Sequence, residues 1–138
     1  MSDLPKWDPC SDFSDAALTE AGLDPAHKTR AQPPKQTCTL FSADPAFSIN
    51  IEYKAGDGAA AWKKSKTRDL ESITIGDHLG DLDHRTGTPG LFDCLMRLDV
   101  RGGYVEFEFI DSFGGLKDLC GDLTRVVTVL EKHIPPAK

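Results

Sequence analysis

The sequence predicts an α+β domain, an antiparallel sheet of about five or six strands covered by an N-terminal and a C-terminal helix. Several short runs alternate apolar and polar residues, which is typical of strands with one buried face. Helical spacing of apolar residues occurs near the two ends of the chain. Gly and Pro residues separate these runs, so each element is expected to be short.

The composition is typical of a globular domain. Hydrophobic residues make up 39% of the 138 positions and charged residues 28%, and the net charge is −6. The apolar fraction argues against a disordered chain, and the negative charge argues against nucleic acid as a partner. We therefore expect one domain over residues 1–138, with residues 1–6 flexible and residues 135–138 as a tail.

The sequence predicts neither a membrane-spanning helix nor a signal peptide. No apolar run approaches the roughly 20 residues that a membrane helix needs. The first residues also lack the basic and apolar regions of a signal peptide. The chain is therefore expected to be either cytosolic or the mature part of an exported protein.

The first part of the chain predicts a capped helix, a surface connection and a hairpin. Ser14 is a good N-cap for a short helix, and Gly22 lies where a left-handed C-terminal cap belongs. The prolines between Asp24 and Gln36 indicate a surface connection. From Thr37 the pattern alternates, and two strands are predicted on either side of a turn at residues 42–45.

The second part predicts three more strands and a closing helix. Residues 70–75, 94–101 and 104–109 alternate apolar and polar positions, and the last two runs flank a glycine turn. Before them, residues 56–66 read as a short helix or loop anchored by Trp62. An apolar stripe at helical spacing from Leu116 to Ile134 predicts a helix that packs on the sheet and ends at Pro135.

Four cysteines are widely spaced and match neither zinc nor thioredoxin motifs. Cys94 lies on the apolar face of its strand and Cys120 on the apolar stripe of the closing helix, so both are predicted in one interface. We therefore expect disulfides Cys94–Cys120 and Cys10–Cys38, with four buried free thiols as the alternative. Such bridges would place the protein in an oxidising, extracytoplasmic compartment.

Several segments are similar to the actinobacterial lipoprotein family of domain of unknown function 3558, which includes mycobacterial Lpr-type lipoproteins. Asp8–Cys10 leading into Phe13–Leu18 resembles the opening of that family, and Leu70–Gly80 resembles its strand with a glycine-rich turn. Asp118–Cys120 resembles the start of its closing helix, whereas Leu40 stands where the family commonly has tryptophan. The resemblance implies a cell-envelope domain, anchored to the membrane through a lipid in its natural precursor. It implies no established chemistry.

Candidate site residues are few. The densest group of potential metal ligands comprises Asp77, His78, Asp81, Asp83 and His84, although a solvated turn is the alternative and no metal or other cofactor is predicted. Glu106 and Glu108 share one strand face and could act as an acid–base pair, or simply face water. A basic segment could bind anionic headgroups or wall glycans, or be a solvated flank. Its residues are Trp62, Lys63, Lys64, Lys66 and Arg68.

These observations favour a non-catalytic envelope domain that binds a small ligand, a glycolipid or a partner protein. One alternative is an envelope hydrolase using the residues between Asp77 and His84, with or without a metal. Its side chains should then converge in a concave pocket. A second alternative is an accessory subunit of a membrane transporter, which predicts a large exposed apolar patch.

Overall fold

The computed structural model describes residues 7–30, 36–43, 47–63, 70–83, 93–111 and 118–137. The strands in this part of the chain are β1 (Leu23–Arg30), β2 (Gln36–Ser42), β3 (Phe47–Ala55), β4 (Leu70–Ile75), β5 (His78–Asp83), β6 (Asp93–Val100) and β7 (Gly103–Asp111). The helices are α1 (Asp15–Glu20), α2 (Gly58–Lys63) and α3 (Leu119–Leu130), and a 3₁₀ turn follows at Glu131–His133. All strand pairs are antiparallel, in the order β1-β2-β3-β7-β6-β5-β4.

The predicted number of strands is wrong, because the sheet has seven strands. Strand β1 occupies part of the segment predicted as a surface connection. It contains Pro25 but lies at the edge of the sheet, where a missing backbone N–H need not break a ladder. The alternative of a solvated turn is wrong for residues 78–83 of the predicted group of metal ligands, because these residues form strand β5. This segment pairs with β4 on one side and with β6 on the other, and its charged residues His78, Asp81 and Asp83 are buried there.

The predicted hairpins are confirmed. Strands β6 and β7 pair from Asp93 to Val100, and the turn between them places Gly102 at φ 80°, which favours glycine. Strands β2 and β3 pair as predicted, although residues 44–46 of their turn lie outside the described residues. Strand β7 also pairs with β3 along its whole length, so the three strands form the centre of the sheet.

One face of the sheet, the first face, carries the main core and is covered by α1 and α3. The predicted cap at Ser14 is confirmed, since its side chain accepts from the Ala17 N–H, and Gly22 follows the helix at φ 86°. Helix α3 packs on β6 and β7. It is shorter than the predicted stripe, beginning after the N-cap Asp118 and ending at Leu130, so Ile134 is buried beyond the helix.

Both predicted disulfides are present. The Cys10–Cys38 bridge joins the N-terminal segment to β2, and the Cys94–Cys120 bridge joins β6 to the first turn of α3. The alternative of free thiols is therefore not what the structure shows. Over the described residues, no helix combines the length and the apolar character required to cross a membrane.

Candidate functional site

The opposite side of the sheet, the second face, is polar. Side chains from six neighbouring strands form one row across it, because each stands directly opposite the next in the strand register. We call these residues the polar row: Thr37, Glu52, Glu106, Arg97, Asp81 and Ser72.

Helix α2 lies against this face beside β6 and divides the polar row into two parts. The close approach depends on Gly58, because a Cβ there would lie 2.6 Å from Tyr104 Cγ and 2.7 Å from Arg97 Cδ. Trp62 of the same helix is buried with 1% exposure, and its Nε1 donates to Glu106 Oε1 at 2.7 Å. The indole ring therefore covers the middle of the row and is not a surface side chain.

Arg97 is the most buried cation of the described residues on this face, with 2% exposure. Its Nη1 donates to Asp99 and its Nη2 donates to Asp81, so two carboxylates bind one guanidinium. The Arg97 Cζ atom also lies 5.9 Å from the centroid of the Trp62 ring. Its Nε is buried without a hydrogen-bond partner. The guanidinium is therefore held in place by residues from three elements.

A cavity of about 360 Å³ lies beside this guanidinium, between the β4–β5 hairpin and α2, and we call it the Arg97 cavity. Its lining residues are Ala59, Ser72, Ile73, Thr74, Leu79, Gly80, Asp81, Arg97 and Asp99. Ser72, Thr74 and Leu79 are exposed at its outer side, whereas Asp81 and Arg97 are buried at its inner side. The cavity thus combines accessible hydroxyl groups, fixed charges and an apolar rim.

A second cavity, of about 260 Å³, lies on the other side of Trp62, and we call it the acidic cavity. Its lining residues are Thr37, Thr39, Asn50, Glu52, Leu95, Glu106 and Glu108.

Neighbouring groups compensate the carboxylates of the acidic cavity. Glu52 stands directly opposite Glu106, an unfavourable pairing of like charges. Lys54 Nζ compensates, 3.1 Å from Glu106 Oε2, and Asn50 Nδ2 donates to Glu108 Oε1 at 3.0 Å. Burial alone would lower the pKa of Lys54, but its hydrogen bond and attraction to Glu106 raise that pKa above its ordinary value.

The predicted group of metal ligands does not converge. His78 lies on the first face, where its Nδ1 is 2.6 Å from Glu131 Oε2 and its Nε2 is 2.8 Å from the Pro135 carbonyl oxygen. Asp81 lies on the second face with Arg97, and Asp77 is exposed in the turn before β5. No three potential ligands in the described ranges are placed to hold a metal ion. His84 lies outside those ranges.

The other candidate residues have varied outcomes. Glu106 and Glu108 line the acidic cavity, and both carboxylates accept hydrogen bonds from neighbouring side chains. Of the basic segment, only Trp62 has a described side chain, and it is buried. The side chain of Lys63 and residues 64–69 lie outside the described part of the chain, so a basic binding surface stays a prediction.

The family model described as a protein of unknown function, DUF3558, matches residues 2–133. The chain belongs to the DUF3558 family. No curated protein and no solved structure matched it. The DUF3558 match includes every strand and helix described above, the four cysteines and both cavities of the second face.

Sequence reasoning missed the centre of the candidate site. The alternation over residues 94–101 places Arg97 and Asp99 on the polar side of β6, but it names no partner for them because it does not predict the strand that carries Asp81. The sequence did contain one signal for this cluster. Arg97 and Asp99 carry opposite charges at alternate positions of one strand, and the segment before that strand contains further acidic residues. Only the strand order places Asp81 beside Arg97.

Proposed function

We propose that this DUF3558 domain is a non-catalytic binding domain of the cell envelope that receives its ligand in the Arg97 cavity. The observation that carries the proposal is the nearly complete burial of Arg97 beside that cavity, with carboxylates of Asp81 and Asp99 bound to its guanidinium. Small-molecule sites typically combine a concave surface with a few fixed polar groups, and this arrangement has both features.

Stability alone does not account for the Arg97 network. Replacing a buried ion pair by apolar residues of similar volume is often neutral or stabilising, because desolvation offsets the attraction between the charges. The first face already supplies a continuous apolar core. A rigid cluster of donors and acceptors on the second face is therefore better explained as a preorganised binding surface.

The placement of the described residues favours the binding proposal. A hydrolase using the residues between Asp77 and His84 would need its histidines and aspartates to converge, and among the described residues of that segment His78 and Asp81 lie on opposite faces. A transporter subunit docking through the sheet would need a large apolar patch on the second face, whereas the polar row crosses that face and Leu79 and Phe41 are its exposed large hydrophobic side chains among the described residues. Neither alternative has an observation that favours it.

The proposed location rests on the disulfides and on the resemblance. Two bridges in 138 residues are consistent with an oxidising compartment outside the cytoplasm. The similarity to actinobacterial lipoproteins supports a natural precursor anchored to the membrane by a lipid. The cavity would then face molecules of the envelope.

The test uses NMR of the whole ¹⁵N-labelled chain, because the buried Arg97 Nε–Hε group should give a resolved signal. Solvent and aqueous extracts of bacterial cell envelopes serve as probes. We expect shifts at Arg97 Nε and at the amides of Ser72, Thr74 and Asp99. Saturation without shifts at these residues, or shifts confined to the acidic cavity, would overturn the proposal.

A blocking variant and a matched control complete this test. Thr74 is exposed at the Arg97 cavity, so Thr74→Trp should fill it and abolish the shifts at Arg97 Nε. Thr128 is exposed on α3, so Thr128→Trp adds the same ring far from the cavity and should preserve them. Equal responses of the two variants would contradict the assignment of the site.

A further inference from the structure

We infer that the Arg97 cavity binds a neutral, polyhydroxylated ligand, that is, a saccharide unit of an envelope glycan or glycolipid. The inference rests on the proposed function and names the ligand class of the same site. It follows from the charges, the hydrogen-bonding groups and the apolar rim of the cavity, taken in turn.

The charges disfavour an anion. Among the described residues that line the cavity, Arg97 is the only cation, and it is 2% exposed with both terminal nitrogens already donating to carboxylates. The Asp99 side chain is far more accessible, with 45% exposure. A phosphate or carboxylate entering the cavity would therefore meet negative charge before it reached the guanidinium.

A cationic ligand is disfavoured for the complementary reason. Asp81 and Asp99 are both bound to the Arg97 guanidinium, which neutralises one of their two charges. An ammonium group would have to share these carboxylates with a cation that the protein holds in place. The acidic cavity, whose described lining residues include three glutamates and no cation, is the more attractive place for such a group.

Hydroxyl groups match the remaining donors and acceptors. A ligand hydroxyl both donates and accepts, as do the Ser72 and Thr74 hydroxyls, while the carboxylates accept only. Ser72 and Thr74 lie on the same side of β4, two residues apart. This spacing is about 7 Å along a strand, roughly the span of one sugar ring. Ser72 also stands directly opposite Asp81, so the Asp81 carboxylate lies beside the Ser72 hydroxyl as a further acceptor.

The apolar rim fits the other surface of a sugar ring. Leu79 is 62% exposed, stands directly opposite Thr74 and lines the cavity. Packing of ring C–H groups on this side chain would remove apolar surface from water. The volume of about 360 Å³ is at the lower end of the range for small-molecule sites. A short saccharide is therefore a better match than a lipid chain.

The experiment measures binding of the whole chain to four kinds of probe. Neutral mono- and oligosaccharides of the common hexoses and pentoses are tested by saturation-transfer NMR and by shifts at Arg97 Nε. Vesicles with and without neutral glycolipid test a membrane-bound source. Inorganic phosphate and butylamine test the anion and the cation. We expect shifts with a saccharide, free or on vesicles, and none with phosphate or butylamine.

Two variants of equal charge change give the control. Asp99→Asn replaces one accessible carboxylate oxygen of the Arg97 cavity by a donating NH2 group, removes its negative charge and should weaken saccharide binding at least tenfold. Glu52→Gln removes one negative charge from the acidic cavity on the same face and should change affinity less than twofold. Amide spectra of both variants verify that the fold is retained, and Thr74→Trp provides a second loss of binding if Asp99→Asn alters the fold.

The outcomes separate the two proposals. Binding to free saccharide supports a glycan ligand, and binding only to glycolipid vesicles supports a headgroup, so either result supports the ligand class. Shifts at Arg97 Nε with phosphate, butylamine or an envelope extract, but with no saccharide or glycolipid, would overturn the ligand class and leave the site intact. No shift there with any probe or extract would overturn both.

Discussion

Asp8 fixes the segment before α1 to strand β1. One carboxylate oxygen accepts from the Cys10 N–H at 2.9 Å, and the other accepts from Arg30 Nη1 at 2.5 Å and Ser11 Oγ at 2.9 Å. Burial alone would raise the pKa of Asp8, but these hydrogen bonds and the charge of Arg30 outweigh it, so the pKa lies below its ordinary value. The ionised carboxylate therefore stabilises the fold.

We predict that Asp8→Asn flattens the acid side of the stability profile. Because the folded pKa is lowered, the stabilisation is present above the unfolded pKa of about 3.9 and is lost as pH falls through the folded pKa. The loss should be below about 1 kcal/mol, since the group is partly exposed. Urea unfolding between pH 2 and pH 6 measures the free energy of unfolding of both proteins as a function of pH. Identical slopes for the variant and the unchanged protein would contradict the prediction.

His78 connects the β4–β5 turn to the end of the chain. The ring is 4% exposed and lies between the Glu131 carboxylate and the Pro135 carbonyl. We predict that His78→Leu lowers the free energy of unfolding by about 2–3 kcal/mol, because the buried Pro135 carbonyl oxygen and the partly buried Glu131 carboxylate lose their partner. The side chain of His27 is 75% exposed, so His27→Leu should change it by less than about 0.5 kcal/mol. Equal effects in chemical unfolding would refute this role.

Strand β5 approaches β6 closely because residue 80 has no side chain. A Cβ on Gly80 would overlap the Arg97 carbonyl oxygen and lie 3.0 Å from Leu98 Cα. We predict that Gly80→Ala lowers the free energy of unfolding by about 1–3 kcal/mol, since the two strands must move apart. Leu79→Ala, at the exposed neighbour, should cost less than about 0.5 kcal/mol. Urea denaturation measures the free energy of unfolding of both variants. An unchanged free energy of unfolding for Gly80→Ala would show that the two strands can move apart without cost.

The elements that alternation or helical spacing marks clearly could be predicted from the sequence. Strands β3 and β7 and helix α3 each bury one apolar face, so their periodicity is visible. Strand β1 is mostly exposed and contains Pro25, so its sequence lacks the alternation that would predict a strand. The segment is a strand because it pairs with β2. Strand β5 carries buried charges, whose burial depends on partners from other elements.

The two disulfides link the N-terminal segment and helix α3 covalently to the sheet. They close loops with sequence separations of 28 and 26 residues. In the chain-entropy model, each contributes roughly 3–4 kcal/mol by restricting the unfolded chain. The double variant Cys94→Ser/Cys120→Ser should therefore lose about that much stability, and Cys10→Ser/Cys38→Ser a similar amount. Thermal and urea unfolding measure both, and unreduced protein with four alkylatable thiols would remove the basis for the prediction.

The candidate site could not be predicted because it combines residues that only the arrangement of the whole sheet brings together. The polar row takes one residue from each of six strands, and Thr37 and Arg97 are far apart in the chain. The cysteine pairing could be predicted because both partners lie on apolar faces that must meet. The Arg97 cavity depends instead on strand order, which local patterns do not encode.

The indole of Trp7, at the start of the described chain, donates to the His133 carbonyl oxygen at 3.2 Å near its end. Two points separated by 126 residues thus meet at one corner of the fold. A short linker could join them into a ring, and new ends could then be opened at the β6–β7 turn, where Arg101 and Gly102 are exposed. The same closeness would let the whole domain be inserted as a cassette into a loop of a host protein.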